Sequence, residues 1–252
     1  MDVVKVSEWQ QYRWLRHGFS TRAGGFSTIY GPSELNLGMT KDDDPELVRA
    51  NRARLVEEAG VGGLVTLRQV HSDEVLVARA AGPAGDGDGL MTDEAGLTLG
   101  IQTADCVPVL VADVRRRRVA AFHAGWRGTV SGIVESGVEK LRREFGSAAE
   151  DLVGAVGPAI GACCYTVGDE VRGAFGERFS CAEELFAQRE GGLHLDLAEA
   201  NRRQLMAAGV DRVTVVGECT ACARVGERRK YFSHRAEKGF TGRMMSVIGM
   251  TA

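Results

Sequence analysis

Five histidines and six cysteines are the scarce reactive side chains of this 252-residue chain, and three of them stand where strand-like segments meet turns. His71 follows the apolar segment ending at Val70 in LRQVHS. Cys106 precedes VPVLVADV in TADC, and His123 follows VAAF in HAGWRGT. Strand ends beside glycine-rich turns are places where a rigid scaffold hands side chains to a cleft. Two imidazoles and one thiolate make a three-ligand set for zinc, with a fourth position open to water or substrate. Copper accepts the same donors. Spacing alone leaves the alternative open that Cys106 is a small buried apolar residue and each histidine is hydrogen-bonded separately. A helical H-E-x-x-H pair, which would be far more specific, is absent.

Other residues qualify more weakly. Asp105, beside Cys106, could orient a ligand or shuttle a proton, or serve as a turn residue. In HAGWRGT, Arg127 lies near the start of a helix expected to open at Thr129, so together they could bind a phosphate or carboxylate. A surface ion pair is the alternative for Arg127. Arg22, before two glycines in HGFSTRAGG, reads as part of a ligand-approaching loop or of a plain turn. Cys219-Thr-Ala-Cys222 is a lone C-x-x-C without a second pair at zinc-ribbon spacing, and is read as structural. Cys163 and Cys164 are adjacent; on a strand they would face opposite ways and would not share a metal.

The elements that must position these groups follow from periodicity. Helices are expected over Pro45 to Ala59, Thr129 to Phe145 and Asp196 to Ala208, with a weaker one over Asp169 to Phe175. Strands are expected at Leu64 to Val70, Glu74 to Arg79, Val107 to Val114, Val119 to His123, Leu152 to Val156, Arg212 to Val216 and Arg243 to Met250. Several are continuous apolar runs, as strands covered on both faces are. The pattern indicates an α/β (α+β) protein with mixed sheets, a single domain over residues 1–252. The basic run Arg115 to Arg118 reads as a solvated hairpin turn.

Composition excludes several classes. At 44% hydrophobic and 26% charged the chain is an ordinary globular protein, and a net charge of −3 gives no reason to expect nucleic acid or an anionic membrane as partner. There is no signal-peptide-like or membrane-spanning stretch, so the expected compartment is the cytoplasm, where cysteines stay reduced.

Taken together, HGFSTRAGG, NLG (Asn36 to Gly38), LRQVHS, DGLMT (Asp88 to Thr92), TADCVPVLVAD, AAFHAGWRGT, VGPAIGACCYTVG, LDLAEAN and FSHR with TGR resemble the YfiH family, also called polyphenol-oxidase or laccase-domain proteins. These pieces run in the family's order from residue 17 to residue 243. The resemblance implies a layered α/β/β/α fold and a mononuclear zinc site on His71, Cys106 and His123. It further implies phosphorolysis of adenosine, inosine and methylthioadenosine, and deamination of adenosine to inosine. Phosphate and purine nucleosides would be its partners, and a monomer its expected state. One departure is Ala221, where the family usually carries tyrosine after Cys-Thr. Three rival readings stand beside it: copper-dependent phenol oxidation, a metal-free hydrolase with Cys106 as nucleophile and His123 as base, and a non-catalytic binding protein. Five histidines do not comfortably serve both a blue-copper site and a multicopper cluster.

Overall fold

The computed structural model describes residues 1–251. In chain order, the strands of its two main sheets are Val3–Val4 (β1), Leu15–Ser20 (β2), Leu64–Arg68 (β3), Val75–Val77 (β4), Gly82–Asp86 (β5) and Gly89–Thr92 (β6), followed by Thr98–Thr103 (β7), Val107–Asp113 (β8), Arg118–Ala124 (β9), Leu152–Val156 (β10), Arg212–Val215 (β11) and Met244–Met250 (β12). One sheet has the order β1-β2-β12-β7-β3-β5, the other β11-β10-β8-β9-β6-β4. Both are mixed: β3 runs parallel to β5 and β7, β10 parallel to β11, and β4 parallel to β6, while the other pairs are antiparallel.

The sheets pack face to face. Side chains alternate along a strand, so Leu110, Ala112, Val119 and Ala121 of one sheet meet Phe19, Leu99, Ile101 and Ile248 of the other in a shared core. The opposite faces are covered by helices. Val109, Val111, Ala120 and Phe122 pack beneath Ile133–Phe145 and Leu197–Ala207, and Met245 and Val247 pack beneath Pro45–Ala59. The result is the α/β/β/α layering implied above. No helix among the described residues is long and apolar enough to cross a membrane.

The helices are Pro45–Ala59 (α1), Trp126–Ser131 (α2), Ile133–Phe145 (α3), Asp169–Arg178 (α4) and Leu197–Ala207 (α5). Asp44 caps α1 by accepting from Glu46 N–H, and Asp196 caps α5 by accepting from Glu199 N–H. The helix expected to open at Thr129 differs: it starts at Trp126 and breaks at Gly132, whose φ of 88° is left-handed, before resuming at Ile133. The Arg115 to Arg118 run is the β8–β9 turn; Arg117 adopts a φ of 54° there, and Asp113 accepts from the Arg115 and Arg116 amides. The sequence pattern does not mark strands β1, β2, β5, β6 and β7.

Candidate metal centre

Strand pairing brings the three residues together. His123 is the next-to-last residue of β9, and its register partner is Pro108 on β8, two residues beyond Cys106. His71 lies in the turn after β3, with a φ of 61°. Asp105, immediately before the thiol, has a φ of 92°. Left-handed backbone at two non-glycine residues is costly and persists only where surrounding contacts enforce it, a pattern typical of functional sites.

One donor atom from each of His71, Cys106 and His123 lies within 4.8 Å of the others. Cys106 Sγ is 4.0 Å from His71 Nε2. His123 Nδ1 lies 2.7 Å from Asp88 Oδ1; the carboxylate accepts this proton, which leaves Nε2 as the metal-facing nitrogen. Asp88 is itself fixed, its Oδ2 accepting from Ser72 N–H at 2.6 Å, Ser72 Oγ at 2.9 Å and Val70 N–H at 3.1 Å. Gly125 provides the space: a Cβ there would sit 2.8 Å from His71 Cδ2 and 3.2 Å from Cys106 Sγ. Two nitrogens and a thiolate converging on one point, with an oriented second partner behind one imidazole, fit a zinc ion.

The charges of Cys106, His123 and Asp88 depend on one another. Burial pushes the Cys106 thiol up, but the neighbouring His123 and His71 imidazoles outweigh it and draw the thiol down to about 6. Burial also disfavours a charged His123, yet the Cys106 thiolate and Asp88 raise it to about 9. Asp88 is held at about 2, its burial outweighed by hydrogen bonds from His123 and Ser72. These charges compensate one another where the buried Asp88 and His123 meet the half-buried thiol.

The centre forms one wall of a cleft of about 750 Å³, whose lining also includes Arg52, Gln102, Tyr165, Arg235 and Arg243. Asp105 lines the same cleft, with both carboxylate oxygens engaged: Thr220 Oγ1 donates to one and Arg235 N–H to the other, each at 2.7 Å.

The two arginines singled out from sequence are not among the cleft-lining residues. Arg22 is buried against Glu34 at 3.0 Å and Glu237 at 2.9 Å, with its guanidinium over Phe232. Two carboxylates already satisfy its charge. Arg127 is exposed on α2 and stacks on Trp126, 4.3 Å from the ring centre. The residues that sequence reasoning passed over are Asp88, Arg52 and Arg243. Asp88 opens DGLMT and Arg243 ends TGR, so the motifs contained them, but only pairing between β9 and β6 brings Asp88 under His123.

The cysteines give a second correction. Residues 161–165 form a tight turn, in which the Cys164 and Tyr165 amides both donate to the Gly161 carbonyl. Alternation along a strand therefore does not separate Cys163 from Cys164. Their thiols gather with those of Cys219 and Cys222, all four within 4.8 Å of one another.

Residues 16–251 match the model of the family described as Multi-copper polyphenol oxidoreductase laccase. A protein named purine nucleoside phosphorylase from Deinococcus radiodurans is 42% identical over 237 residues, covering 93% of this chain and 88% of that one. Purine nucleoside phosphorylase YfiH of Escherichia coli is 34% identical over 250 residues, covering 98% of this chain and 99% of its own. The solved structure of Bacillus licheniformis hypothetical protein YfiH superposes with a TM-score of 0.88 at 35% identity, covering 99% of this chain and 96% of that one.

Proposed function

The chain belongs to this polyphenol oxidoreductase laccase family, and from that premise we propose that it is a purine nucleoside phosphorylase that also deaminates adenosine. Its substrates on this reading are adenosine, inosine and methylthioadenosine, which phosphate cleaves to the free base and a ribose 1-phosphate. The observation that carries the reading is the convergence of His71, Cys106 and His123 on the wall of an open cleft large enough for a nucleoside. The names of its relatives point the same way. His71, Cys106 and His123 would hold a zinc ion, which would supply Lewis-acid chemistry and lower the pKa of a water molecule there.

The chain's own residues divide the remaining work. Asp88 keeps the His123 proton on Nδ1 and aims Nε2 at the centre. Arg52 and Arg243 hold phosphate. Arg52 is half-buried and donates Nε to the Leu37 carbonyl at 2.8 Å; Arg243 donates to the Thr241 and Gly242 carbonyls at 3.0 and 2.9 Å. Neither has a carboxylate partner among the described residues, and burial lowers the pKa of Arg52. A partly desolvated guanidinium without a counter-ion favours an anionic ligand. Tyr165, whose burial beside Cys106 pushes its hydroxyl up to about 12, stays neutral and offers an aromatic face with a hydrogen-bond donor to the purine.

Three imidazoles, His71, His123 and His234, line the cleft, fewer than a blue-copper site and a multicopper cluster together need. His17 accepts from Val6 N–H at 2.9 Å, and His194 is bonded to Thr166 Oγ1 and the Ala162 carbonyl, both away from the centre. The metal-free Cys106–His123–Asp88 arrangement is the second reading, favoured by the low thiol pKa. Product analysis separates these readings. Incubated with adenosine, the protein is expected to yield adenine and ribose 1-phosphate only when phosphate is present, and inosine with or without it, and Cys106→Ala is expected to yield neither. Oxidation of phenols with no nucleoside product would contradict the proposal.

A further inference from the structure

The four-cysteine cluster lies apart from the three-ligand centre and has no part in the proposed reaction. Cys163 and Cys164 come from the turn after β10, and Cys219 and Cys222 from the segment after β11. The backbone joins these segments before the thiols do: Thr220 N–H donates to the Ala159 carbonyl at 3.0 Å, and Ala159 N–H to the Glu218 carbonyl at 3.3 Å. Cys163 Sγ and Cys222 Sγ are 3.7 Å apart. With a Zn–S bond of about 2.3 Å, the edge of a tetrahedral tetrathiolate site is roughly 3.8 Å. A disulfide would require about 2.05 Å, so the 3.7 Å spacing is not a bonded pair, and it matches the edge of such a site.

The surroundings are those of a ligated thiolate. Gly161 N–H donates to Cys219 Sγ at 3.2 Å. A side chain at residue 161 would close the space, since its Cβ would lie 3.3 Å from Cys163 Sγ and 3.6 Å from Cys219 Sγ. Cys163 and Cys222 are exposed, which gives a metal ion a way in, while Cys164 and Cys219 are half-buried.

We propose that Cys163, Cys164, Cys219 and Cys222 form a second metal site, a tetrathiolate site for zinc that clamps the two segments together. Four soft donors in a closed set leave no position for substrate, so the site is structural. Its effect reaches the cleft through its neighbours: Ile160 and Tyr165 flank the first pair and line the cleft, and Thr220, inside the second, holds Asp105.

The test is metal stoichiometry in protein loaded with zinc under reductant and freed of loose metal. Two zinc ions per chain are expected in the unaltered protein. One is expected in Cys163→Ser/Cys222→Ser, and one in His71→Ala/Cys106→Ala. A single ion in the unaltered protein that disappears in His71→Ala/Cys106→Ala would overturn the proposal. Cobalt loaded into His71→Ala/Cys106→Ala gives an independent readout that does not require the cysteine variant to fold. Intense thiolate-to-cobalt charge transfer with tetrahedral ligand-field bands is expected there; a weak octahedral spectrum, or a Cys163–Cys222 disulfide in its place, would also overturn it.

Discussion

Asp88 accepts four hydrogen bonds while fully buried, and one of them sets the orientation of the His123 imidazole in the candidate metal centre. Asp88→Asn keeps the shape but removes the charge, and its amide can present a donor where the imidazole needs an acceptor. Zinc affinity measured by chelator competition should fall about 10- to 100-fold, as outer-shell substitutions typically cause. At Gly125 the argument is steric: Gly125→Ala brings a methyl against His71 and Cys106. The variant should fold yet hold zinc at the three-ligand centre more than tenfold less tightly; unaltered affinity would mean that the ligands sit elsewhere. His71, Cys106 and His123 were legible as candidates because strand ends and scarce residue types mark them, while their union in one site followed only from the family resemblance. Their partners were not legible. Asp88 is an ordinary acidic residue in sequence, and Arg22 and Arg127 resembled anion ligands because nothing local reveals that Glu34 and Glu237 neutralise the first and that the second lies outside the cleft.

At the scale of elements, the helices with caps and a clear apolar stripe were readable, and α1 runs over the residues expected. The break between α2 and α3 was not, because Gly132 sits inside a continuous apolar period and only its left-handed backbone interrupts the helix. Strands β5 and β6 were hidden by glycine, which carries no alternation, and β2 by the burial of almost every residue along it. Cys163 and Cys164 are misplaced for a related reason: alternation separates neighbours on a strand, and these two lie in a turn. Close packing of α3 on β9 explains Gly137, whose added Cβ would lie 2.3 Å from the Phe122 ring. Phe122 immediately precedes His123, so this contact supports the strand that carries it. Gly137→Ala should destabilise the protein by about 1–3 kcal/mol through overpacking, read as a lower urea midpoint. A stabilised variant would show that the helix is free to move away.

For the whole molecule, the layered sandwich brings distant segments to one cleft and ties the N-terminal segment to the sheet edge. His17 on β2 accepts a hydrogen bond from Val6 N–H and packs edge-on against Trp9. Burial, aided by Lys5, lowers its pKa to about 4. The unfolded chain takes up this proton near pH 6.5 and the folded one only near 4, so the contribution is full above 6.5 and is lost as pH falls toward 4. Its size is about 3 kcal/mol at about 1.4 kcal/mol per pH unit. Urea unfolding should therefore show the unaltered protein losing stability over this range more steeply than His17→Gln; parallel profiles would contradict the assignment. The most direct test of the central claim is the phosphate-dependent release of hypoxanthine from inosine by protein stripped of metal under reductant and then given zinc. The account predicts that release stops on stripping, returns with zinc in the unaltered protein, and stays absent in Cys106→Ala. Undiminished release from the stripped protein, abolished by alkylation of Cys106, would contradict it and assign the chemistry to the thiolate alone.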